Sequence, residues 1–122
     1  MRLYYGGDLP RLWQIMNIKS KIKQRRLQML VHSYIYYKLD KNIVDDATWS
    51  RWAKELQQLQ DKYPDESKEV EWAEVFEDWD GSSGAFLPLD DEWVRQKAMK
   101  VLEIHGRIKK KPVKKQNTLK LF

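Results

Sequence analysis

Two histidines, three pairs of acids and one glycine-serine stretch are the residues of this 122-residue chain whose types and spacing could do chemistry. His32 and His105 lie 73 positions apart, and neither sits in a His-x-x-x-His spacing that would turn two imidazoles toward one metal ion from a helix face. Asp45/Asp46, Asp78/Asp80 and Asp90/Asp91 could supply oxygen ligands to a divalent ion. Acids in such places also cap helices and polar turns, so no metal site is expected. Asp80-Gly81-Ser82-Ser83-Gly84 has the small residues of a phosphate-cradling loop, without the lysine or the preceding strand that make such a loop work. The chain has no cysteine, which removes thiol nucleophiles, disulfides and Cys-type zinc sites and suits a reducing compartment.

The elements that must position these residues read as helices. Asp8 followed by Pro10 supplies a cap and a first-turn proline for a short helix to about Ile18. A second helix is predicted from about Ser20 to Leu39, with Leu27, Leu30, Val31, Tyr34 and Lys38 on one stripe and Lys19, Lys21, Lys23, Arg25 and Arg26 opposite. Asp40 to Asp45 reads as a loop, with Asp45 or Asp46 capping the next helix. That helix runs to about Asp61, gathers Trp49, Trp52, Ala53, Leu56 and Leu59 on one face, and is stopped by Pro64. A helix from about Glu66 to Trp79 would bury Val70, Ala73 and Phe76, and Glu69, Glu71, Glu74, Glu77 and Asp78 would face solvent or a basic partner. Phe86-Leu87-Pro88 is expected to lie on the core as a strap, before a last helix from about Asp90 to His105, closed at Gly106.

The fold class expected is therefore all-α, a small domain of four to five helices over residues 1–106 with a flexible basic tail over 107–122. At this length one domain fits. The net charge of +5 conceals a polarity along the chain. Residues 1–40 hold eight Lys or Arg against two acids, residues 41–106 eight against sixteen, and 107–122 seven against none. The high pI thus belongs to a tail and one helix, and no uniformly basic nucleic-acid surface follows. Neither an 18-residue apolar run nor a signal peptide stands in the sequence, so a soluble protein in the cytoplasm of a bacterial host cell is expected.

The run Tyr34-Ile35-Tyr36-Tyr37-Lys38-Leu39-Asp40, then Asp45-Asp46-Ala47, then Trp49 through Tyr63-Pro64 resembles domain Ia of NAD-dependent DNA ligases. That small helical module holds the nicotinamide mononucleotide half of NAD. Its pattern is roughly Tyr-x-Tyr-(His/Tyr)-x-x-Asp, a short spacer, Asp-Ala-x-Tyr-Asp, and a helix closing in Tyr-Pro or His-Pro. Asp80 to Gly84 looks like the Asp-Gly-Ser-Thr-Gly stretch of short phage-borne proteins named as ligase-related. In the ligase module aromatic rings sandwich the nicotinamide, and acidic and histidine side chains bind its amide, ribose and phosphate. The resemblance carries the first aromatic onto Tyr36, its neighbour onto Tyr37 and the loop aspartate onto Asp46. The helix tyrosine becomes Trp49, without a hydroxyl, and the following aspartate becomes Ser50. The residues by themselves also allow core packing for the aromatics and a cap for Asp46. No Lys-x-Asp-Gly tetrad provides the lysine nucleophile of adenylation, so no enzyme activity and no cofactor are expected.

The C-terminus resembles the bacterial sliding-clamp binding motif, usually Gln-Leu-(Ser/Asp)-Leu-Phe. Leu119, Leu121 and Phe122 match it, with Thr118 and Lys120 departing. Apolar anchors at the tip of a polar segment can enter a partner's pocket, and Lys109, Lys110, Lys111, Lys114 and Lys115 could tether phosphates nonspecifically. The reading these features favour is a non-enzymatic, phage-type accessory protein that binds a replication protein of host or phage, the sliding clamp foremost, and redirects or inhibits it. Two other readings stand beside it: a nicotinamide mononucleotide or NAD-binding module, and a structural or assembly protein of a virion.

Overall fold

The computed structural model describes residues 8–110, and side chains from 11 to 107. Five helices follow in order: α1 (Asp8–Leu39), α2 (Asp46–Lys62), α3 (Pro64–Lys68), α4 (Ala73–Phe76) and α5 (Glu92–Lys110). There is no strand among the described residues, as the all-α reading requires. None of these helices is long and apolar enough to cross a membrane.

The two helices expected before Asp40 are one, because nothing between Arg11 and Leu39 breaks them. That stretch holds neither proline nor glycine, and Asn17 and Ser20 cost only fractions of a kcal/mol as helix residues. Asp40, at φ 54°, ends α1 in the left-handed region, and Lys41 N–H closes the turn on Ile35 O at 3.1 Å. The chain is thereby folded back against the end of α1, and α2 begins six residues later with the Asp45 carboxylate accepting from Thr48 N–H at 2.8 Å.

Ile22, Met29, Leu30, Val31 and Ile35 of α1 meet Ala53 and Leu56 of α2 and Val94, Ala98 and Val101 of α5 in one core. Phe76, Leu87 and Leu89 complete it from the connecting segments. Trp49, Trp52 and Leu59 pack at its edge, on the α2 face anticipated for them.

Arg26 does not stand on a solvated basic face. It is 2 % exposed, and its guanidinium donates to Ser67 O, Val70 O and Glu71 O at 2.9–3.0 Å and to Gln60 Oε1 at 3.0 Å. Burial lowers its pKa to about 10, so it remains a cation at neutral pH. This cation explains why the helix expected over Glu66 to Trp79 is broken. Carbonyls of Ser67, Val70 and Glu71 converge on Arg26, the chain turns through Trp72 at φ 72°, and only the four residues of α4 resume helical form. Ala73 is accordingly half-buried rather than core, whereas Val70 and Phe76 are buried. Two acids of this segment pair within the molecule, Glu69 with Lys19 and Glu71 with Lys23.

Two further expectations are corrected. Leu87 and Leu89 form the strap on the core, and Phe86 points away from it at 95 % exposure. At its other end α5 does not stop at Gly106. Arg107 bonds Glu103 across one turn at 2.8 Å and the helix continues to Lys110, so His105 is not in a last turn. Nothing lies within 4 Å of where a Gly106 Cβ would stand, so no close packing demands a glycine there.

Candidate functional site

The end of α1, the loop after it and the first turn of α2 enclose one side of a cleft of about 340 Å³. That volume is at the small end of the range in which proteins hold small molecules. His32, Ser33, Tyr36 and Tyr37 come from α1, Lys41 to Val44 from the loop, and Asp46, Trp49 and Ser50 from α2. Ser82 and Gly84 close the other side. Tyr36, Tyr37, Asp46 and Trp49 are thus brought together at one cleft, and the carried-over Ser50 stands with them.

Sequence reasoning left Tyr36 and Tyr37 divided between core and ligand. The structure leaves both exposed, with their rings edge-to-face at 4.8 Å and 88°. Asp46 was similarly divided between cap and site. Asp45 takes the cap, its carboxyl held below the usual range by its bonds from Thr48, and the Asp46 side chain stays beside the cleft. Trp49 is half-buried, and its ring meets that of Trp79 edge-to-face at 6.2 Å and 82°.

The loop Asp80–Gly84 is the part of the site that the sequence did not place. Its conformation follows from Asp80, whose carboxylate accepts from Ser82 N–H at 2.9 Å and Ser82 Oγ–H at 2.7 Å, bonds that lower the Asp80 pKa. Gly81 takes φ +81°, open to glycine without strain. Ser83 Oγ lies 3.2 Å from the Tyr37 hydroxyl, and Ser83 O accepts from Trp79 Nε1–H at 2.7 Å. Gly84 rests on Ser33, so closely that a Cβ on Gly84 would come 1.9 Å from Ser33 Oγ. The Ser33 hydroxyl is itself buried beside the cleft with no protein partner. His32 is buried next to it, its ring tilted against Trp52 at 5.6 Å. The signal available for the loop was its run of small residues, but nothing in the spacing tied it to Tyr37, 46 positions away.

The arrangement offers a flat ligand aromatic faces, a carboxylate at Asp46, a cation at Lys41 and hydroxyls from Ser50 and Ser82. Among the described residues no group of three or more His, Asp or Glu could hold a metal ion.

Leu119, Leu121 and Phe122, with Lys111, Lys114 and Lys115, lie outside the described residues. Lys109 and Lys110 belong to the last turn of α5, where backbone alone is described.

Residues 15–69 match the family model of the DNA ligase-like, N-terminal NAD+-binding domain. The chain is 39 % identical over 49 residues to a DNA ligase of Syntrophomonas wolfei and 40 % identical over 50 residues to one of Christiangramia forsetii. These matches take in 40 % and 41 % of this chain but 7 % and 8 % of the relatives. A DNA ligase of Bacteroides fragilis is 38 % identical over 50 residues. No solved structure matches closely enough to compare. The chain thus resembles domain Ia of NAD-dependent DNA ligases, and the matched span holds every cleft residue except Ser82 and Gly84. This overturns the reading of the chain as a clamp-directed accessory protein. What matches is an NAD+-binding domain, and nothing in these likenesses supports a phage origin, clamp binding or host takeover.

Proposed function

We propose, from the likeness of residues 15–69 to that NAD+-binding domain, that the cleft binds nicotinamide mononucleotide, alone or as the corresponding half of NAD. The observation that carries the reading is the convergence of Tyr36, Tyr37, Asp46 and Trp49 on one cleft within the matched span. The ligand's chemistry is complementary to these groups. Its pyridinium ring is a flat cation, which aromatic faces attract. Its ribose diol donates to a carboxylate, the part given to Asp46, and its phosphate is an anion for Lys41 at the same cleft.

Two departures weaken the site without removing it. Trp49 keeps a ring and lacks the hydroxyl of the family's tyrosine, and Ser50 replaces a carboxylate. The chain spans less than a tenth of the ligases it matches. We therefore take the unit as a binding module rather than a ligase, since the adenylation tetrad has no counterpart in it.

Titration of the intact chain with nicotinamide mononucleotide, followed by tryptophan fluorescence and calorimetry, tests the reading. Saturable quenching and heat that Trp49→Ala abolishes, with adenosine monophosphate giving neither, is the expected result. Absence of heat with the mononucleotide and with NAD at millimolar concentration would overturn it.

A further inference from the structure

We infer that Trp79 and Ser83, which lie outside the ligase-like span, are positioning residues that set the two aromatic walls of the cleft for a nicotinamide ring. The inference rests on the proposed binding function and adds to it residues that neither the family match nor the sequence pattern assigns.

The two walls are carried by different helices, Tyr37 by α1 and Trp49 by α2. Trp79 touches both. Its ring packs edge-to-face with Trp49 at 6.2 Å and 82°. Its indole N–H holds Ser83 O at 2.7 Å, and Ser83 Oγ reaches the Tyr37 hydroxyl at 3.2 Å. One residue therefore fixes one wall by packing and the other through a two-bond relay.

The relay has rigid supports at both ends. Trp79 packs edge-to-face at 5.1 Å on Phe76, which is wholly buried. Ser83 Oγ is aimed by accepting Ala85 N–H at 3.0 Å, and Gly84 beyond it is seated on Ser33. Tyr37 needs such a support because it is exposed on the last full turn of α1, where its ring would otherwise choose among rotamers. A ring already held when the ligand arrives costs the complex less entropy. The buried, unpartnered Ser33 hydroxyl beside the cleft is a second polar group that a bound ligand could satisfy.

The experiment uses the full chain and the variants Ser83→Ala, Tyr37→Phe, their double variant, Ser83→Thr and Trp79→Phe. Two readouts are taken: the Kd for nicotinamide mononucleotide, and amide hydrogen exchange of Ser82 to Ala85 without ligand. Loss of one neutral hydrogen bond corresponds to about a fivefold change. We expect Ser83→Ala and Tyr37→Phe each to raise Kd by about that factor, loop exchange to rise more in Ser83→Ala because Ala85 N–H also loses its acceptor, the double variant to do no more than Ser83→Ala, and Ser83→Thr to restore both. Trp79→Phe keeps a ring against Trp49 and Phe76 but loses the N–H, and is expected to resemble Ser83→Ala. If the wild-type protein binds and Ser83→Ala leaves Kd unchanged, the positioning role is overturned, whether or not exchange rises. Unchanged exchange shows that the relay is not formed in solution. Wild-type protein that does not bind the mononucleotide overturns the binding function itself, and the positioning role with it, a failure the variants alone cannot produce.

Discussion

Gly84 and Ser33 meet so closely that a Cβ on the glycine would stand 1.9 Å from the serine Oγ and 2.6 Å from its Cβ. The contact joins a loop outside the ligase-like span to the helix that carries Tyr36 and Tyr37. A side chain on Gly84 would have to lift the loop from the cleft. Gly84→Ala is therefore expected to lower Tm and speed exchange of Ser82 to Ala85. Ser33→Gly removes both overlapping atoms and should recover part of the loss in the double variant, despite its own cost of about 1 kcal/mol within a helix. A coupling on the order of 1 kcal/mol, read by thermal melts of the four proteins, is the expected sign of direct contact.

Arg26 is the buried cation around which the chain from Ser67 to Trp72 turns. Its replacement by alanine orphans the carbonyls of Ser67, Val70 and Glu71 and opens a cavity beside Phe76, where the guanidinium now lies 5.8 Å from the ring centroid. A loss on the order of 3 kcal/mol is expected in urea unfolding. Arg26→Lys should recover little of it, because one ammonium cannot reproduce a planar fork spread over four acceptors.

Asp45 and Asp46 are neighbours with separate tasks. Asp45→Ala should lower Tm by a few degrees, since Thr48 N–H loses its acceptor. Under the proposed function, Asp46→Asn should leave Tm nearly unchanged and weaken binding of nicotinamide mononucleotide severalfold. Thermal melts and calorimetry on the two variants make the comparison.

Glu92 carries a pH dependence of defined sign. Hydrogen bonds from Arg95 and Gln96, with the Arg95 charge, hold its carboxyl at about 2 against an ordinary 4.5. A carboxyl depressed by folding contributes stability that is full above the unfolded value and is lost as pH falls from about 4.5 through about 2. The Tm difference between wild type and Glu92→Gln should accordingly be present at pH 7, shrink across that window and vanish below it. Because the pair is exposed, added salt should shrink it at pH 7 as well.

Sequence by itself determined the helices whose apolar residues recur at helical spacing and whose ends carry chemical stops. α2 is the plain case, with an aspartate cap before it, Pro64 after it, and Trp49, Trp52, Ala53 and Leu56 turned to the core. It also determined the ligase resemblance, because the aromatic and acidic positions of that module lie within a short run of chain. Tertiary structure decided what depends on distant partners. Arg26 looks like one more charge in a basic cluster until the carbonyls of residues 67, 70 and 71 are seen around it, and that gathering broke a helix which periodicity alone would continue. Tyr37 and Ser83, like Gly84 and Ser33, stand about fifty residues apart, and no local pattern encodes which loop closes a cleft. Whether Tyr36 and Tyr37 pack in the core, and whether Asp45 or Asp46 caps α2, was likewise left open by spacing. The exposure of the two tyrosines depends on how α1 and α2 meet, which spacing along either helix does not contain.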